Sequence, residues 1–219
     1  PRVRRQRQMC IRDSCEEEHV YAVTLSAELS GSYNSAVLGK SLYEEEYGEK
    51  DIHVFNSRSA SVGETLIALK IAECEEQGMT FEQVIDTVEA YICEQNTYFV
   101  LETLETLRKN GRLTGIKSVM ASALNIKPVM GATPEGTIVQ LGKARGVKKA
   151  LAKMVEEVTA KVQNSEQKIL AIAHCNCLER AKEVKKMLEE KASFRDVIIL
   201  DTAGISSMYA SDGGVIVVV

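Results

Sequence analysis

HVYAVTLSAELSGSYNSAVLGK, residues 19–40, decides the fold. Its first seven residues read as a buried strand. A serine- and glycine-rich loop follows, then a helix carrying Tyr33, Ala36 and Val37 that stops at Gly48. The unit repeats in IHVF (52–55), the loop NSRSASVG, and a near-continuously apolar helix with Leu66, Ile67, Leu69, Ile71 and Ala72 that stops at Gly78. Thr80 and Gln83 form a capping-box pattern opening a third helix. That helix places Phe81, Val84, Ile85, Val88, Tyr91 and Ile92 on one face, and TYFVL (97–101) reads as a third strand. Strand–helix alternation predicts βαβ units and a mainly parallel sheet. In such sheets ligands sit outside the carboxyl ends of the strands, so the two serine-rich loops are the first place to look.

Further along, Leu104 and Leu107 sit on a short helix ended by Asn110-Gly111, and Thr114 can cap a helix with Ile116, Val119 and Leu124. IKPVM and TIVQL flank TPEG, a hairpin signal. The pattern continues with a long helix from Val147 to Val162, a strand at 169–173, a helix over about 177–190, and strands at 197–200 and 215–219. The hairpin marks a change of architecture, with a boundary between about 110 and 126. The expected organisation is an N-terminal α/β domain over 15–118, lacking its first part, and a C-terminal α/β domain over 119–219.

The 219 residues are 45% hydrophobic and 26% charged, with net charge −4, which fits a globular protein and not a disordered one. No apolar run is long enough to span a bilayer. A net acidic chain with no Trp and 5% aromatics disfavours nucleic-acid binding. Six cysteines are too few for a disulfide scaffold and fit a reducing, cytoplasmic setting. Residues 1–14, PRVRRQRQMCIRDS, carry net +4 and leave −8 on the other 205. A basic tail for acidic partners and an ordinary disordered start are both open. The favoured reading is a leader foreign to the domain, resembling translated sequencing-adapter DNA.

Several residues carry chemistry. Ser26, Ser30 and Ser32 lie between a strand and a helix start, where free N–H groups favour an anion; the alternative is that they only cap the helix. The spacing is neither a Walker loop nor a nucleophile elbow. Ser57, Ser59 and Ser61 repeat the pattern after the second strand. Arg112, beside the domain boundary, can pair with a carboxylate or phosphate, or be solvated. His174, Cys175 and Cys177 could ligate a metal, but no second ligand pair has suitable spacing, so none is expected. Cys74 and Cys93 sit within apolar helices and read as core. Lys143, Arg145, Lys148 and Lys149 form a basic cluster that could dock an acidic partner or open a solvated helix. Glu28 and Glu64 are the nearby candidates for a general base, should the loops serve an enzyme acting on a small carboxylated or phosphorylated substrate.

Together, TLSAELSGSYNSA (24–36), VFNSRSASVG (54–63), LETLRKNGRL (104–113), KPVMGATPEGTI (127–138), KARGVKKAL (143–151) and a Gly-Gly before the last strand resemble the DegV family of bacterial fatty-acid-binding proteins. The resemblance runs from about residue 18 to 219. It implies a two-domain α/β fold of the DegV (EDD) type, with a mainly parallel N-terminal sheet and a hairpin in the C-terminal part. It also implies a non-enzymatic carrier that holds one long-chain fatty acid as ligand, with no cofactor and no metal, and presents it to a partner kinase for acyl-phosphate formation and phospholipid synthesis. No nucleic acid or stable membrane insertion is implied. The carboxylate would meet Ser26, Ala27, Ser30, Gly31 and Arg112, with Ser57, Ser61 and Tyr209 in support. About fourteen buried methylenes would contribute roughly 11 kcal/mol before entropy and desolvation costs. The sequence departs from the family in three places. An Asp-Ser strand end and a Thr-Ser-x-Pro loop are absent from the domain sequence, Ala27 replaces the second serine of a pair, and SSMYASDGG (206–214) stands where a His-x-Gly-Pro-Gly is common.

Overall fold

The computed structural model describes residues 18–113 and 125–219. Strand β1 (His19–Thr24) leads into helix α1 (Ser32–Tyr47), and β2 (Asp51–Asn56) into α2 (Val62–Glu76). After α3 (Phe81–Glu94) come β3 (Thr97–Val100) and the short α4 (Glu105–Lys109). The second half runs β4 (Ile126–Ala132), β5 (Ile138–Arg145), α5 (Val147–Lys161), β6 (Ile169–His174), α6 (Leu178–Glu189), β7 (Asp196–Asp201), α7 (Gly204–Ala210) and β8 (Val215–Val218). The expected leader and the helix proposed after Thr114 lie outside the described residues.

Two sheets form. β1 and β2 pair in parallel, residue for residue from His19↔Asp51 to Thr24↔Asn56. The other six strands make a mixed sheet in the order β5-β4-β3-β8-β6-β7. β4 and β5 are the expected hairpin, with a register shift at Val129/Met130. The sequence differs from the structure at β3. A boundary near 110 groups it with β1 and β2, but it lies inside the six-stranded sheet, antiparallel to both β4 and β8. Its four residues are all buried, and burial on both faces does not identify the neighbouring strands.

α2 joins the two sheets. Ile67, Ile71 and Cys74 pack with Phe55 of β2 and with Val84, Val88 and Ile92 of α3. One turn earlier, Val62 and Leu66 pack on Ala171, Ala173 and Val218 of the larger sheet. The helix is not buried all round, since Leu69 and Ala72 are exposed. The cysteine expectation is half corrected. Cys74 is buried, but Cys93 is exposed because it falls on the solvent side of α3. The expected capping box is present, with the Thr80 N–H donating to Gln83 Oε1 at 3.0 Å and the Gln83 N–H to Thr80 Oγ1 at 3.4 Å. On the far face of the large sheet, Tyr98, Val100, Val215 and Val217 meet Met154 and Val158 of α5 and Val184 and Leu188 of α6.

Candidate functional site

A cavity of about 460 Å³ lies between the carboxyl ends of β1 and β2 and the near face of the large sheet. That volume is within the range of small-molecule sites. Alternation along β3 builds its floor, because Thr97, Phe99 and Leu101 point in while Tyr98 and Val100 point to the opposite core. Ile216 of β8 and Ile138 of β5 extend this apolar surface, and α7 covers it with Ile205, Tyr209 and Ala210.

The two serine-rich loops and the β4–β5 turn close one side of the cavity. Ser26, buried completely, donates its hydroxyl to the Gly136 carbonyl at 2.9 Å, and its Oγ accepts the Glu28 N–H at 3.3 Å. The Ser26 N–H donates to Ser59 O at 3.0 Å, fastening the first loop to the second. Asn56 Oδ1 accepts the N–H groups of Ala27 (3.0 Å) and Arg58 (3.2 Å). Within the second loop, Arg58 (φ 49°) and Ser61 (φ 59°) occupy the left-handed region, which is costly for non-glycine residues. Glu64 accepts the Ser61 N–H at 3.0 Å. Burial pushes the Glu64 carboxyl above its ordinary value, and that backbone hydrogen bond offsets part of the rise.

The predicted residues separate into two groups. Ser30, Ser61, Arg112 and Tyr209 line the cavity. Arg112, carried by the loop after α4, donates Nε–H to Leu29 O at 3.1 Å and a second N–H to Asn110 O, so the Asn110-Gly111 turn presents it to the first loop. Ser26, Ala27, Gly31 and Ser57 are not lining residues. The Ser26 and Ala27 donors are engaged within the protein, Gly31 precedes α1, and the Ser57 hydroxyl donates to Ser59 O at 3.1 Å. Ser30 Oγ accepts the Ser32 N–H at 3.2 Å and keeps its own proton for another acceptor.

Sequence reasoning missed a buried hydroxyl pair. Ser59 Oγ and Thr97 Oγ1 lie 2.6 Å apart, both on the cavity wall. Two hydroxyls share that one contact, so one proton is left for another acceptor. A Cβ on Gly63 would come within 2.1 Å of Ser59 Oγ, so only glycine fits beside the pair. The period-two pattern of Thr97, Phe99 and Leu101 was the available signal.

Of the two candidate bases, Glu64 lines the cavity and Glu28 does not. Among the described residues no cluster of three His, Cys, Asp or Glu could hold a metal ion. The His174 ring instead accepts the Cys177 N–H at Nδ1, 3.4 Å away. The basic residues Lys143, Arg145, Lys148 and Lys149 are all exposed where β5 meets α5. No helix among the described residues is long and apolar enough to cross a membrane.

Comparison with known proteins gives this cavity a context. A family model described as "Uncharacterised protein, DegV family" matches residues 7–219. A DegV domain-containing protein of Streptococcus pneumoniae is 34% identical over 199 residues, covering 91% of this chain and 70% of that protein. The crystal structure of a DegV family protein from Ruminococcus gnavus, refined with vaccenic acid, is 70% identical, with a TM-score of 0.93 over 95% of this chain and 74% of that one. The S. pneumoniae fatty acid kinase B3 protein, loaded with linoleic acid, is 32% identical, with a TM-score of 0.84 over 94% of this chain and 73% of that one. Both the family model and these relatives span nearly all of the chain, which therefore belongs to the DegV family.

Proposed function

We propose that this protein binds one long-chain fatty acid in the cavity as a carrier, not a catalyst, and presents its carboxyl group to a separate kinase. The observation that carries this reading is the cavity itself, about 460 Å³ in volume, floored by Phe99, Leu101, Ile138 and Ile216 and bearing a few polar groups. An acyl chain buried there gains roughly 0.8 kcal/mol per methylene. The carboxylate would be met by Arg112 and by the unengaged protons of Ser30 and the Ser59–Thr97 pair. Ser26, Ala27 and Gly31 then serve by shaping the loop, since the Ser26 hydroxyl is the link to the Gly136 turn. Hydroxyls and one arginine offset the desolvation of a carboxylate and leave it chemically intact, as a carrier requires.

The 70% identical relative refined with vaccenic acid and the relative loaded with linoleic acid support the ligand class. The second relative's description as a fatty acid kinase B3 protein supports a kinase partner, to which the exposed Lys143–Lys149 cluster offers a basic docking surface. Solvent extraction of the purified folded protein, followed by mass spectrometry, should release about one long-chain fatty acid per chain. Recovery of none, together with no uptake of added fatty acid, would overturn the ligand reading. Formation of acyl phosphate only when a fatty acid kinase and ATP are added would support the carrier role. Turnover of the ligand by this protein alone would refute it.

A further inference from the structure

Behind the cavity, outside its lining, lies an ion cluster that links the two segments carrying Arg112 and Tyr209. Glu102 follows the last residue of the cavity floor, Leu101, and opens the loop that leads through α4 to Arg112. Its carboxylate accepts an N–H of Arg180 from α6 at 2.9 Å and the ammonium of Lys127 from β4. Lys127 also donates to the Glu102 carbonyl at 2.8 Å. The same Arg180 nitrogen that meets Glu102 donates to the carbonyl of Gly213, just past α7. Burial pushes the Glu102 carboxyl up, but Lys127 and Arg180 outweigh it and hold the group below its ordinary value.

The loop after α7 is fitted closely to this cluster. A Cβ on Gly213, whose φ is +84°, would lie 2.8 Å from the Arg180 guanidinium and 3.0 Å from Glu102 Cγ. A Cβ on Gly214 would lie 2.4 Å from Ala210 O and 2.9 Å from Leu101 Cδ2. Residues 212–214 are also held to the loop after β6, by the Gly213 N–H to Cys175 O (2.8 Å), the Cys175 N–H to Gly214 O (2.9 Å) and Asn176 Nδ2–H to Asp212 Oδ1 (2.9 Å). Arg180 adds the tie from this end of α7, where Tyr209 and Ala210 line the cavity, to Glu102 at the start of the segment that delivers Arg112.

We infer that Arg180 is a positioning residue for ligand binding: by bridging Glu102 and Gly213 it sets the placement of Tyr209 relative to Arg112 at the carboxylate end of the site. This inference rests on the fatty-acid reading for its ligand and on the observed bridge for its geometry. It is tested on the delipidated 219-residue chain with two probes, a C18:1 fatty acid and the alcohol of the same carbon chain. Arg180→Met, which keeps the apolar stem, should weaken the acid about tenfold, the scale of one charge-assisted hydrogen bond, and the alcohol less than twofold. Arg180→Lys, whose ammonium can donate to both partners but stands one bond short of the Arg180 nitrogen that meets them, should fall between. Amide hydrogen exchange across residues 204–214 of the ligand-free protein should accelerate in Arg180→Met. Equal weakening of acid and alcohol, or unchanged exchange across 204–214, would overturn the inference. Should Arg180→Met fail to fold, Arg180→Lys carries the same comparison. Failure of the unaltered chain to bind either probe would sink the fatty-acid reading, and exchange across 204–214 would then decide the anchoring alone.

Discussion

Gly136 is the position where the cavity wall is most sensitive to a single methyl group. At φ +91° its backbone lies where L side chains are strained. A Cβ there would stand 2.4 Å from Ser26 Oγ, 2.8 Å from Arg58 Cα and 3.0 Å from Arg58 C. The last two are backbone atoms of a loop already held at φ 49°, so they cannot rotate away. Gly136→Ala therefore combines left-handed strain of about 1–2 kcal/mol with the loss of the Ser26–Gly136 hydrogen bond, about 1 kcal/mol and more where a buried hydroxyl is left unpaired. The expected total is about 3 kcal/mol. Two other glycines calibrate it. Gly78, which ends α2 at φ +72° with the Met79 N–H returning to Cys74 O, has nothing within 4 Å, so Gly78→Ala should show the strain alone, about 1 kcal/mol. Gly39, inside α1 with nothing within 4 Å, should become more stable as Ala by about 0.5–1 kcal/mol. Urea unfolding followed by circular dichroism at constant m gives all three values, and extraction gives ligand occupancy. A Gly136→Ala variant no less stable than Gly78→Ala, with full occupancy, would refute the close apposition of the turn to the Ser26 and Arg58 loops.

Arg112→Met should weaken fatty-acid binding about tenfold, from the loss of one charge-assisted contact, with little change in unfolding midpoint because the side chain is exposed; competition with a fluorescent fatty acid measures it. Ser59→Ala and Thr97→Val should each cost little affinity, because either hydroxyl can supply the remaining proton, and the double variant should lose more than the two single losses combined; additivity would contradict the shared proton. Glu64 has a folded-state value above its unfolded one. Its contribution is therefore fully present below about pH 4.5 and lost as pH rises through the folded value, so Glu64→Gln should gain stability at pH 7 and none at pH 4. The Glu75 hydrogen bond and charge raise His19, so its stabilisation is present below about pH 6.5 and fades as pH passes the raised value; an NMR titration midpoint that does not fall in Glu75→Gln would contradict the pairing.

Local patterns made most elements legible in the sequence. The strand–loop–helix units, the Thr80–Gln83 cap and the TPEG hairpin all depend on neighbours within a few residues. What was hidden depends on distant ones. Nothing near Ser26 indicates that its hydroxyl will face a carbonyl 110 positions away, so a serine suited to an anion reads the same as one that braces a turn. Likewise TYFVL announces a buried strand but not its neighbours, which come from 126–132 and 215–218. The seven residues of α7 are too few to show a helical period, yet they supply one wall of the cavity. Thr97 reads as strand and not as site because its partner, Ser59, arrives from another loop.

The position of β3 has a kinetic consequence. It pairs with β8 from Thr97↔Val218 to Val100↔Val215, and the backbones of Asn96 and Val219 exchange hydrogen bonds of 2.7 and 3.1 Å. The middle of the large sheet is therefore joined from segments more than a hundred residues apart, with high loop-closure entropy. During synthesis β1, β2 and the helices α1 to α3 can associate early, while the cavity floor waits for Ile216 to emerge. Until then Phe99 lacks its partner Ile216 on that side. Folding should be slowest at this closure, and the apolar floor of the cavity is complete only after it.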